Sequence, residues 1–499
     1  MKLFSAPPRP TGAQRPASDT AQQRPAQQRP AQQRPAQQRP AQQRPTQQRP
    51  TQQRPVQQRP AQQRPAQRSA SQWTDDAARP RRSAPDDRRR VQQPAPDLAG
   101  KHGRKAKKAK KPKKKKSLGH RLLILFLVLA ILAGLYLTAV YSDIPFIAKW
   151  RTAYIQTAMN TLSHQWLATA FIPRSVIDKV VAEMEAAREA QIGVNSEWDE
   201  GEVESRNPTL TDTKGMSKEE ITFYNLFWEV DVPSMQAYVK EHPDALAAGW
   251  SRINIDKSAL TDNGTSIRTI QGEQVLAIDA QNEILIAREK GSTYRGVLVI
   301  MKDPSRLSLQ AASTLGSVGQ VCGKIAEAHG GVIGMTGSGF IDPGGTGNGG
   351  TLAGYAMCNG KSYGGHMGYG YKRLELHEDN RIYIRDSDSE VSPAMIIDGE
   401  TVVNARSGFS DLQPRACLGQ SKYGEIIALL VEGRLTTSVG ISVPDCAAIM
   451  AKHDCMQAMN LDGGTSAMIW YKGKYIMRSS NPALTAGRTL PNAFVYAGK

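Results

Sequence analysis

Apolar and polar positions divide the chain into stretches of different character, and the clearest is one long uncharged run. Residues 122–142 contain no charged side chain. At about 1.5 Å per residue the run extends roughly 32 Å, which is enough to cross the hydrocarbon core of a bilayer. A cleaved signal peptide has a shorter apolar region and a shorter charged leader. The pattern therefore predicts one transmembrane helix at 121–142.

Beyond this run the apolar residues recur at intervals of three and four. Ile172, Val176 and Val180 mark one face of a helical segment within 144–192. Residues 195–215 are polar and acidic and are typical of a linker, and shorter helices are expected near 217–230 and 233–240. We therefore predict a helical juxtamembrane stalk and linker at 143–249.

From residue 275 onward, short apolar runs alternate with turn residues, which is typical of strands. Helices are expected at 318–328 and 442–453, and Ser442 with Asp445 three residues later forms a capping pattern. We predict an α+β domain at 250–499, a mixed sheet with flanking helices. One transmembrane helix and a disordered basic arm precede it.

The predicted arm, residues 1–120, has a composition unlike that of the remaining chain. A pentapeptide of the form Ala-Gln-Gln-Arg-Pro repeats nine times over 21–65, and 101–116 is dense in lysine. Proline at every fifth position and few apolar side chains predict disorder with polyproline II character. The lysine-rich part is expected to contact anionic inner-leaflet lipids.

Charge predicts the orientation of the span. Residues 1–121 hold 31 Lys and Arg against 6 Asp, whereas the remainder holds 33 basic and 40 acidic residues. Basic residues stay on the cytoplasmic side of a membrane span. We expect a single-pass protein of the cell membrane with a cytoplasmic amino terminus and an extracellular carboxy-terminal domain. Nucleic acid is a less favoured partner, because the positive charge is confined to the arm.

Candidate chemistry is concentrated at 460–466 (Asn-Leu-Asp-Gly-Gly-Thr-Ser), which places a carboxylate, two glycine amides and two hydroxyls within seven residues. Asp-Gly is also a strong hairpin signal, because glycine adopts positive φ without steric cost. A hairpin tip and a functional turn are therefore both open interpretations.

Three neighbouring segments accompany this turn in a fixed order. They are 414–420 (Pro-Arg-Ala-Cys-Leu-Gly-Gln), 431–434 (Val-Glu-Gly-Arg) with 438–440 (Ser-Val-Gly), and 487–494 (Gly-Arg-Thr-Leu-Pro-Asn-Ala-Phe). The pattern resembles the phosphodiester glycosidase family over about 290–498, most strongly from Arg415 onward. The resemblance implies hydrolysis of the bond between a sugar's anomeric carbon and a diesterified phosphate, here in envelope glycans or exopolysaccharide.

The resemblance also implies residue roles. Arg415 and Arg488 are the expected phosphate clamp, because a guanidinium presents a fork of donors that matches phosphate oxygens. Asp462 would act at the anomeric carbon, either as nucleophile or as base for water. Glu432 is the alternative acidic partner, although a solvent-facing strand end is its competing interpretation.

The turn after Asp462 is expected to add to the phosphate site. The amides of Gly463 and Gly464 can approach an anion closely because glycine lacks a Cβ. Thr465 and Ser466 supply the hydroxyl pair.

One position departs from the family pattern. Thr336 stands where the family usually has asparagine, so Thr336 or Ser338 is expected to supply the polar contact. The departure keeps open a non-catalytic glycan-binding or phosphoglycan-binding membrane protein of envelope assembly. The resemblance implies no cofactor, and the sequence leaves a divalent metal requirement open.

Overall fold

The computed structural model describes residues 117–161, 164–198, 208–259, 263–365, 371–387, 393–403 and 409–499. The predicted repeat arm and its lysine-rich end lie outside the described residues, as does the middle of the predicted linker.

Helices dominate the first part of the described chain. The described residues form eight α-helices: α1 (Leu118–Tyr141), α2 (Pro145–Met159), α3 (Trp166–Thr169), α4 (Arg174–Glu189), α5 (Lys218–Leu226), α6 (Val232–Glu241), α7 (Cys322–Ala328) and α8 (Val443–Lys452).

Strands fill most of the second part. The described residues form eighteen: β1 (Asn254–Asp256), β2 (Gln274–Asp279), β3 (Ile284–Lys290), β4 (Arg295–Met301), β5 (Leu307–Ala311), β6 (Gly331–Thr336), β7 (Tyr355–Cys358), β8 (Lys361–Gly364), β9 (Tyr371–Leu376), β10 (Ile382–Ser387), β11 (Ala394–Ile397), β12 (Glu400–Thr401), β13 (Arg415–Ser421), β14 (Ile426–Val431), β15 (Cys455–Asn460), β16 (Ile469–Tyr471), β17 (Lys474–Tyr475) and β18 (Asn492–Ala497).

Two sheets organise these strands. The larger has the order β1-β2-β3-β4-β14-β13-β15-β11-β12, and the smaller has the order β17-β16-β6-β18-β5. The combination of helices and sheets was predicted, but the mixed sheet was not correct: every pairing between named strands in the described chain is antiparallel. Short connections such as those joining β2, β3 and β4 favour antiparallel neighbours, since a parallel neighbour needs a long crossover.

The larger sheet is buried on both faces, and alternating residues of its central strands divide between two cores. Ala416 and Leu418 pack with residues of the smaller sheet, such as Met335 and Phe494. Cys417 faces the opposite core, which α5, α6 and α8 cover. Helices α5 and α6 therefore share a core with the domain that was predicted to begin at residue 250.

Helix α1 coincides with the uncharged run. It is long and apolar enough to cross a membrane, by length and composition. Its side chains are exposed over almost its whole length. The following helices α2, α3 and α4 occupy the segment predicted to be helical.

Helix α8 carries the chain from β14 to β15, and the predicted cap is present. The Ser442 hydroxyl accepts a hydrogen bond from the Asp445 amide at 3.2 Å and donates one to the Asp445 carboxylate at 2.6 Å. An N-cap serine satisfies one amide that has no partner within the helix.

We expect Ser442→Ala to lower the free energy of unfolding by about 1 kcal/mol, the usual cost of losing an N-cap. Chemical denaturation of the purified chain measures this. Ser442→Asp, which restores a capping oxygen, should recover most of the loss, and an equal loss in both variants would contradict the capping role.

Candidate active site

The ends of several strands from both sheets meet at one edge of the fold. In the larger sheet, the start of β13 at Arg415 pairs with the end of β14 at Val431, and Cys417 pairs with Asn460 at the end of β15. In the smaller sheet, the end of β6 at Thr336 pairs with Ala493 near the start of β18. The loops that carry the family motifs leave from these strand ends.

The 460–466 segment is not a hairpin tip. Strand β15 before it belongs to the larger sheet, and strand β16 after it belongs to the smaller sheet. The segment therefore crosses between the sheets, and its tight turn at Gly464 has a φ of 61°. This connection places Asp462 between the two sheet edges.

A cavity of about 620 Å³ opens at this edge. Most of the predicted site residues line it: Asp462, Gly463, Gly464, Thr465, Ser466, Arg415, Arg488 and Ser338. Residues that sequence reasoning did not select also line it, among them Asp342, Asp411, Gln413, Arg434 and Asn460.

Asp462 is half-buried in the wall of the cavity. Burial raises the pKa of its carboxyl group to about 6, against the opposing effects of a hydrogen bond with Ser466, the charge of Arg488 and the Gly463 amide. A carboxyl group with this pKa changes its protonation state within the physiological range, which is a property of acids and bases in active sites.

The two predicted clamp arginines are both in the cavity wall, but each is paired with an aspartate. Arg415 Nη2 lies 2.9 Å from Asp411 Oδ1. Arg488 forms two contacts with the Asp342 carboxylate, one of them at 2.9 Å, and this pairing lowers the pKa of Asp342. Each aspartate offsets the charge that its arginine would offer to a phosphate.

Arg434 is a lining residue that the sequence did not single out. Its Nε and Nη2 donate hydrogen bonds to Gln413 Oε1 at 3.0 and 2.7 Å. No carboxylate oxygen among the described residues lies within 4.0 Å of its guanidinium nitrogens. Burial and the nearby charge of Arg415 lower its pKa, but a guanidinium stays protonated. Arg434 thus brings to the cavity a positive charge that is in no ion pair with a described carboxylate, although the more distant charge of Asp411 opposes the lowering of its pKa.

The 460–466 turn has fewer free hydrogen-bond donors than its composition suggests. The Gly464 amide donates to the Pro414 carbonyl at 3.0 Å. The Thr465 hydroxyl bonds with the Ser480 hydroxyl at 2.8 Å. Gly464 nevertheless allows a close approach, since a Cβ there would stand 3.4 Å from the Arg434 guanidinium.

Of the two candidates for a compensating polar contact, the structure brings only Ser338 to the cavity. Thr336 is fully buried, and its hydroxyl donates to the Ser466 carbonyl at 2.5 Å and accepts from the Met468 amide at 3.0 Å. It thereby ties β6 to the chain that follows Asp462. Ser338 instead lines the cavity, where its hydroxyl accepts from Asn492 Nδ2 at 3.1 Å.

Glu432 does not line the cavity. Its carboxylate accepts hydrogen bonds from the Arg478 amide at 2.8 Å and from Arg478 Nε at 3.0 Å. It is buried rather than solvent-facing. The structure thus places Glu432 in an internal ion pair and not beside Asp462.

Asn460 offers an unused acceptor. Its Nδ2 donates to the Leu461 carbonyl at 2.9 Å, but its buried Oδ1 has no hydrogen-bond partner within the described chain. A buried polar atom without a partner is costly. In the cavity wall this atom can accept a hydrogen bond from a ligand hydroxyl.

One group of described side chains has the composition of a metal site, and it lies outside the cavity lining. Glu273, Glu289 and His453 each place one ligand atom within 4.8 Å of the others. Lys452 already forms an ion pair with Glu273, and His453 Nε2 lies 3.5 Å from the same carboxylate. This local charge balance makes the group an internal ionic network.

Comparison with known proteins matches the carboxy-terminal part of the chain to one family. Residues 329–497 match the family model described as phosphodiester glycosidase. A segment of 68 residues is 35% identical to the SPbeta prophage-derived uncharacterized protein YomE of Bacillus subtilis (strain 168), and it covers 14% of this chain and 11% of that protein. The chain thus spans a small part of this curated relative.

Two solved structures are similar at low identity. The zebrafish N-acetylglucosamine-1-phosphodiester alpha-N-acetylglucosaminidase catalytic domain, auto-inhibited by its pro-peptide, is 18% identical with a TM-score of 0.36, and the match covers 43% of this chain and 82% of that one. A hypothetical protein from Synechocystis is 13% identical with a TM-score of 0.33, and covers 46% and 65%. The family match to 329–497 confirms the resemblance inferred from the ordered motifs, and this part of the chain is similar to phosphodiester glycosidase domains.

Proposed function

We propose that the chain is a membrane-anchored extracellular hydrolase that cleaves the bond between a sugar's anomeric carbon and a diesterified phosphate in envelope glycans or exopolysaccharide. One observation carries the proposal: Asp462, with a raised pKa, lines the same cavity as Arg434, which forms no ion pair within 4.0 Å with a carboxylate of the described residues. A sugar phosphodiester has one anionic phosphate and one electrophilic carbon. Arg434 can bind the phosphate, and Asp462 can act at the carbon.

The phosphate is assigned to Arg434. Gln413 holds the Arg434 guanidinium through two hydrogen bonds, which fixes the plane of its donors. Hydrogen bonds to a charged partner contribute about 1.5 to 3 kcal/mol. Arg415 and Arg488 flank this position as the outer part of the clamp, and Asp411 and Asp342 fix their orientation.

Asp462 in its ionised form acts at the anomeric carbon. As a base it removes a proton from water, whose oxygen bonds to that carbon while the carbon–oxygen bond to phosphate breaks and the phosphate leaves as a monoester anion. As a nucleophile it forms that new bond itself, and water then releases the sugar. The departing phosphate monoester is a stabilised anion, so neither route requires a second acid to protonate it.

The remaining lining groups suit the sugar. Asn460 Oδ1 can accept a hydrogen bond from a sugar hydroxyl, which satisfies the acceptor that is unpaired in the described structure. Ser338 offers a hydroxyl on the opposite sheet edge. These groups do not carry charge, so they select hydroxyl patterns rather than phosphate.

A phosphoglycan-binding protein without turnover is the second candidate. It is favoured by the pairing of the other acids: Glu432 bonds with Arg478 away from the cavity, and the lining residues Asp411 and Asp342 are each paired with an arginine. Both candidates predict saturable binding of a sugar-1-phosphate diester, and only the first predicts a product.

We expect the purified full-length chain to release free sugar and a phosphate monoester from a sugar-1-phosphate methyl diester. A matched sugar-6-phosphate methyl diester should yield no free sugar, because its phosphate is not attached to the anomeric carbon. Binding of the first compound without product would favour the second candidate. NMR of the first anomer released separates the two roles of Asp462, since a base gives inversion and a nucleophile gives retention.

Deletion of residues 1–100 tests whether the function depends on the carboxy-terminal domain or on the repeat arm. The hydrolase is expected to keep its turnover in this truncated, still anchored chain. Loss of turnover would instead tie the function to the repeat arm.

A further inference from the structure

Five large aromatic residues beside the predicted membrane span are exposed, although the segment that carries them also contacts the domain. Phe146, Trp150 and Tyr154 follow one another at four-residue intervals on α2. Trp166 and Phe171 lie in and just after α3. These five residues are called the aromatic surface below.

Helix α2 is apolar on two faces: Ala153, Ile155 and Ala158 are buried on the inner face, and three aromatic side chains are exposed on the outer face. Phe146 is 72% exposed, whereas Gln156 on the domain side of the same helix is 1% exposed. A helix on a water-soluble domain normally turns its apolar stripe inward. The inner face of α2 follows this rule, so the second, exposed stripe of aromatic side chains indicates that the outer face of α2 does not meet bulk water.

The aromatic surface is fixed at the outer end of the span. Tyr136 Oη of α1 donates to the Phe171 carbonyl at 2.9 Å, and Arg151 Nη1 of α2 donates to the Val140 and Ser142 carbonyls, both at 2.9 Å. Tyr136 stands five residues before the end of α1, about 7.5 Å along its axis. If α1 crosses a bilayer, Phe171 must then lie close to the bilayer surface.

The length of α1 agrees with a position of Phe171 close to the bilayer surface. Its 24 residues extend about 36 Å, which exceeds a hydrocarbon core of about 30 Å. The excess is about 6 Å, roughly one turn, so the carboxy-terminal end of α1 reaches the headgroup region. Tryptophan and tyrosine are enriched there because one part of each ring system is apolar and another is polar.

We propose that the aromatic surface docks into the headgroup region of the outer leaflet and holds the cavity beside the bilayer. The proposal rests on the membrane span of the proposed function and extends it to the substrate. Continuity with α1 identifies lipid as the occupant, because a protein partner would have to fit between the surface and the membrane from which α1 emerges.

The same helix reaches the cavity. Asn160, at the end of α2, and Thr161 line it. Ten residues separate Trp150 from Asn160, about 15 Å along a helix. The phosphodiester is thus expected within roughly that distance of the headgroups, which favours a glycan attached to the membrane or lying on it over one free in solution.

A series of hydrogen bonds joins α2 to Arg434, the residue proposed to bind the phosphate. The Ser410 amide donates to Gln156 Oε1 at 2.7 Å, and the Leu412 amide donates to Thr157 Oγ1 at 3.0 Å. Gln413 Nε2 donates to the Thr157 carbonyl at 3.2 Å, while Gln413 Oε1 holds Arg434. The helix that carries part of the aromatic surface is therefore hydrogen-bonded to the residue that orients the phosphate-binding arginine, so docking of α2 brings the phosphate site close to the membrane.

Bromine-labelled lipids test the surface in the full-length chain. The chain is placed in phosphatidylcholine–phosphatidylglycerol nanodiscs whose acyl chains carry bromine near the headgroups, and tryptophan emission is compared with that in unlabelled nanodiscs. We expect strong quenching in the wild type, less in Trp150→Phe and in Trp166→Phe, and least in the double variant. Trp250→Phe, a tryptophan of the domain core, should leave the quenched fraction of wild type almost unchanged.

Two results would overturn the inference, and they differ in what they reject. Equal quenching in the wild type and the double variant, with the chain incorporated in the nanodiscs, rejects the aromatic surface alone. A chain that does not enter nanodiscs rejects the membrane span as well.

Hydrolysis provides a second readout. The Phe146→Ser/Trp150→Ser double variant should lose turnover of a sugar phosphodiester attached to nanodisc lipid and keep that of a soluble methyl diester. Equal activity on both compounds would contradict the link between docking and substrate. Absence of activity on both in the wild type would count against the proposed function and not against docking.

Discussion

Replacement of Asp462 by asparagine is expected to lower turnover of a sugar-1-phosphate diester by about 10²- to 10⁴-fold, the range that a single positioned acid or base contributes. Asparagine has nearly the same shape but can neither accept a proton at this pKa nor act as an anionic nucleophile. Steady-state kinetics on the purified chain measures the loss. Asp244→Asn, at an exposed position outside the cavity lining, is the matched control and should retain wild-type turnover.

The pH profile adds a second test of the same residue. Because burial raises the pKa of Asp462 to about 6, the ionised form needed for either role accumulates as pH rises through 6. We expect kcat/KM of the wild type to rise with pH around pH 6. The residual rate of Asp462→Asn should not show this rise. The same rise in the variant would mean that another group titrates near pH 6.

The contribution of Asp462 to the free energy of unfolding should fall as pH rises, whereas activity should increase. The folded pKa exceeds the ordinary value of 3.8, so the folded state favours protonated Asp462, and the stability from this proton is lost as pH rises through about 6. Asp462→Asn should therefore be at least as stable as the wild type at pH 8. A large destabilisation there would mean that lost folding, rather than lost chemistry, explains its inactivity.

Local features of this chain were predictable from sequence. The uncharged run became α1, and the Ser442 cap with its apolar stripe became α8, because capping and helical periodicity depend on residues within a few positions of one another. The antiparallel arrangement was not predictable in the same way. Pairs such as Arg415 with Val431 are made across turns and through neighbouring strands, and short apolar runs do not reveal their direction.

Part of the cavity lining was selected from the sequence, but Glu432 and Thr336 do not line the cavity, and the pairing of its charges was not predictable. Motif order indicated that Asp462, Arg415 and Arg488 would converge, and all three line one cavity. The partner of Arg488 is Asp342, 146 residues earlier in the chain, so no local pattern could show that its charge is offset. Arg434 stood within a quoted motif, but only the fold shows that no carboxylate of the described residues forms an ion pair with it.

This difference in pairing leads to the second large expected effect, at Arg434. We expect Arg434→Met to lower kcat/KM for the sugar-1-phosphate diester about 10- to 150-fold, the equivalent of 1.5 to 3 kcal/mol for a hydrogen bond to a charged group. Methionine keeps an unbranched chain of similar bulk and removes the donors and the charge. Michaelis–Menten kinetics with the methyl diester measures the change.

Arg434→Lys separates charge from geometry. Lysine keeps the positive charge but lacks the planar fork, so it should recover part of the loss and leave the remainder to orientation by Gln413. Arg252→Met, at an exposed arginine that does not line the cavity, should have no effect. If Arg415→Met costs far more than Arg434→Met while both variants fold, the phosphate lies on the paired arginine, and the argument from the pairing of these arginines is wrong.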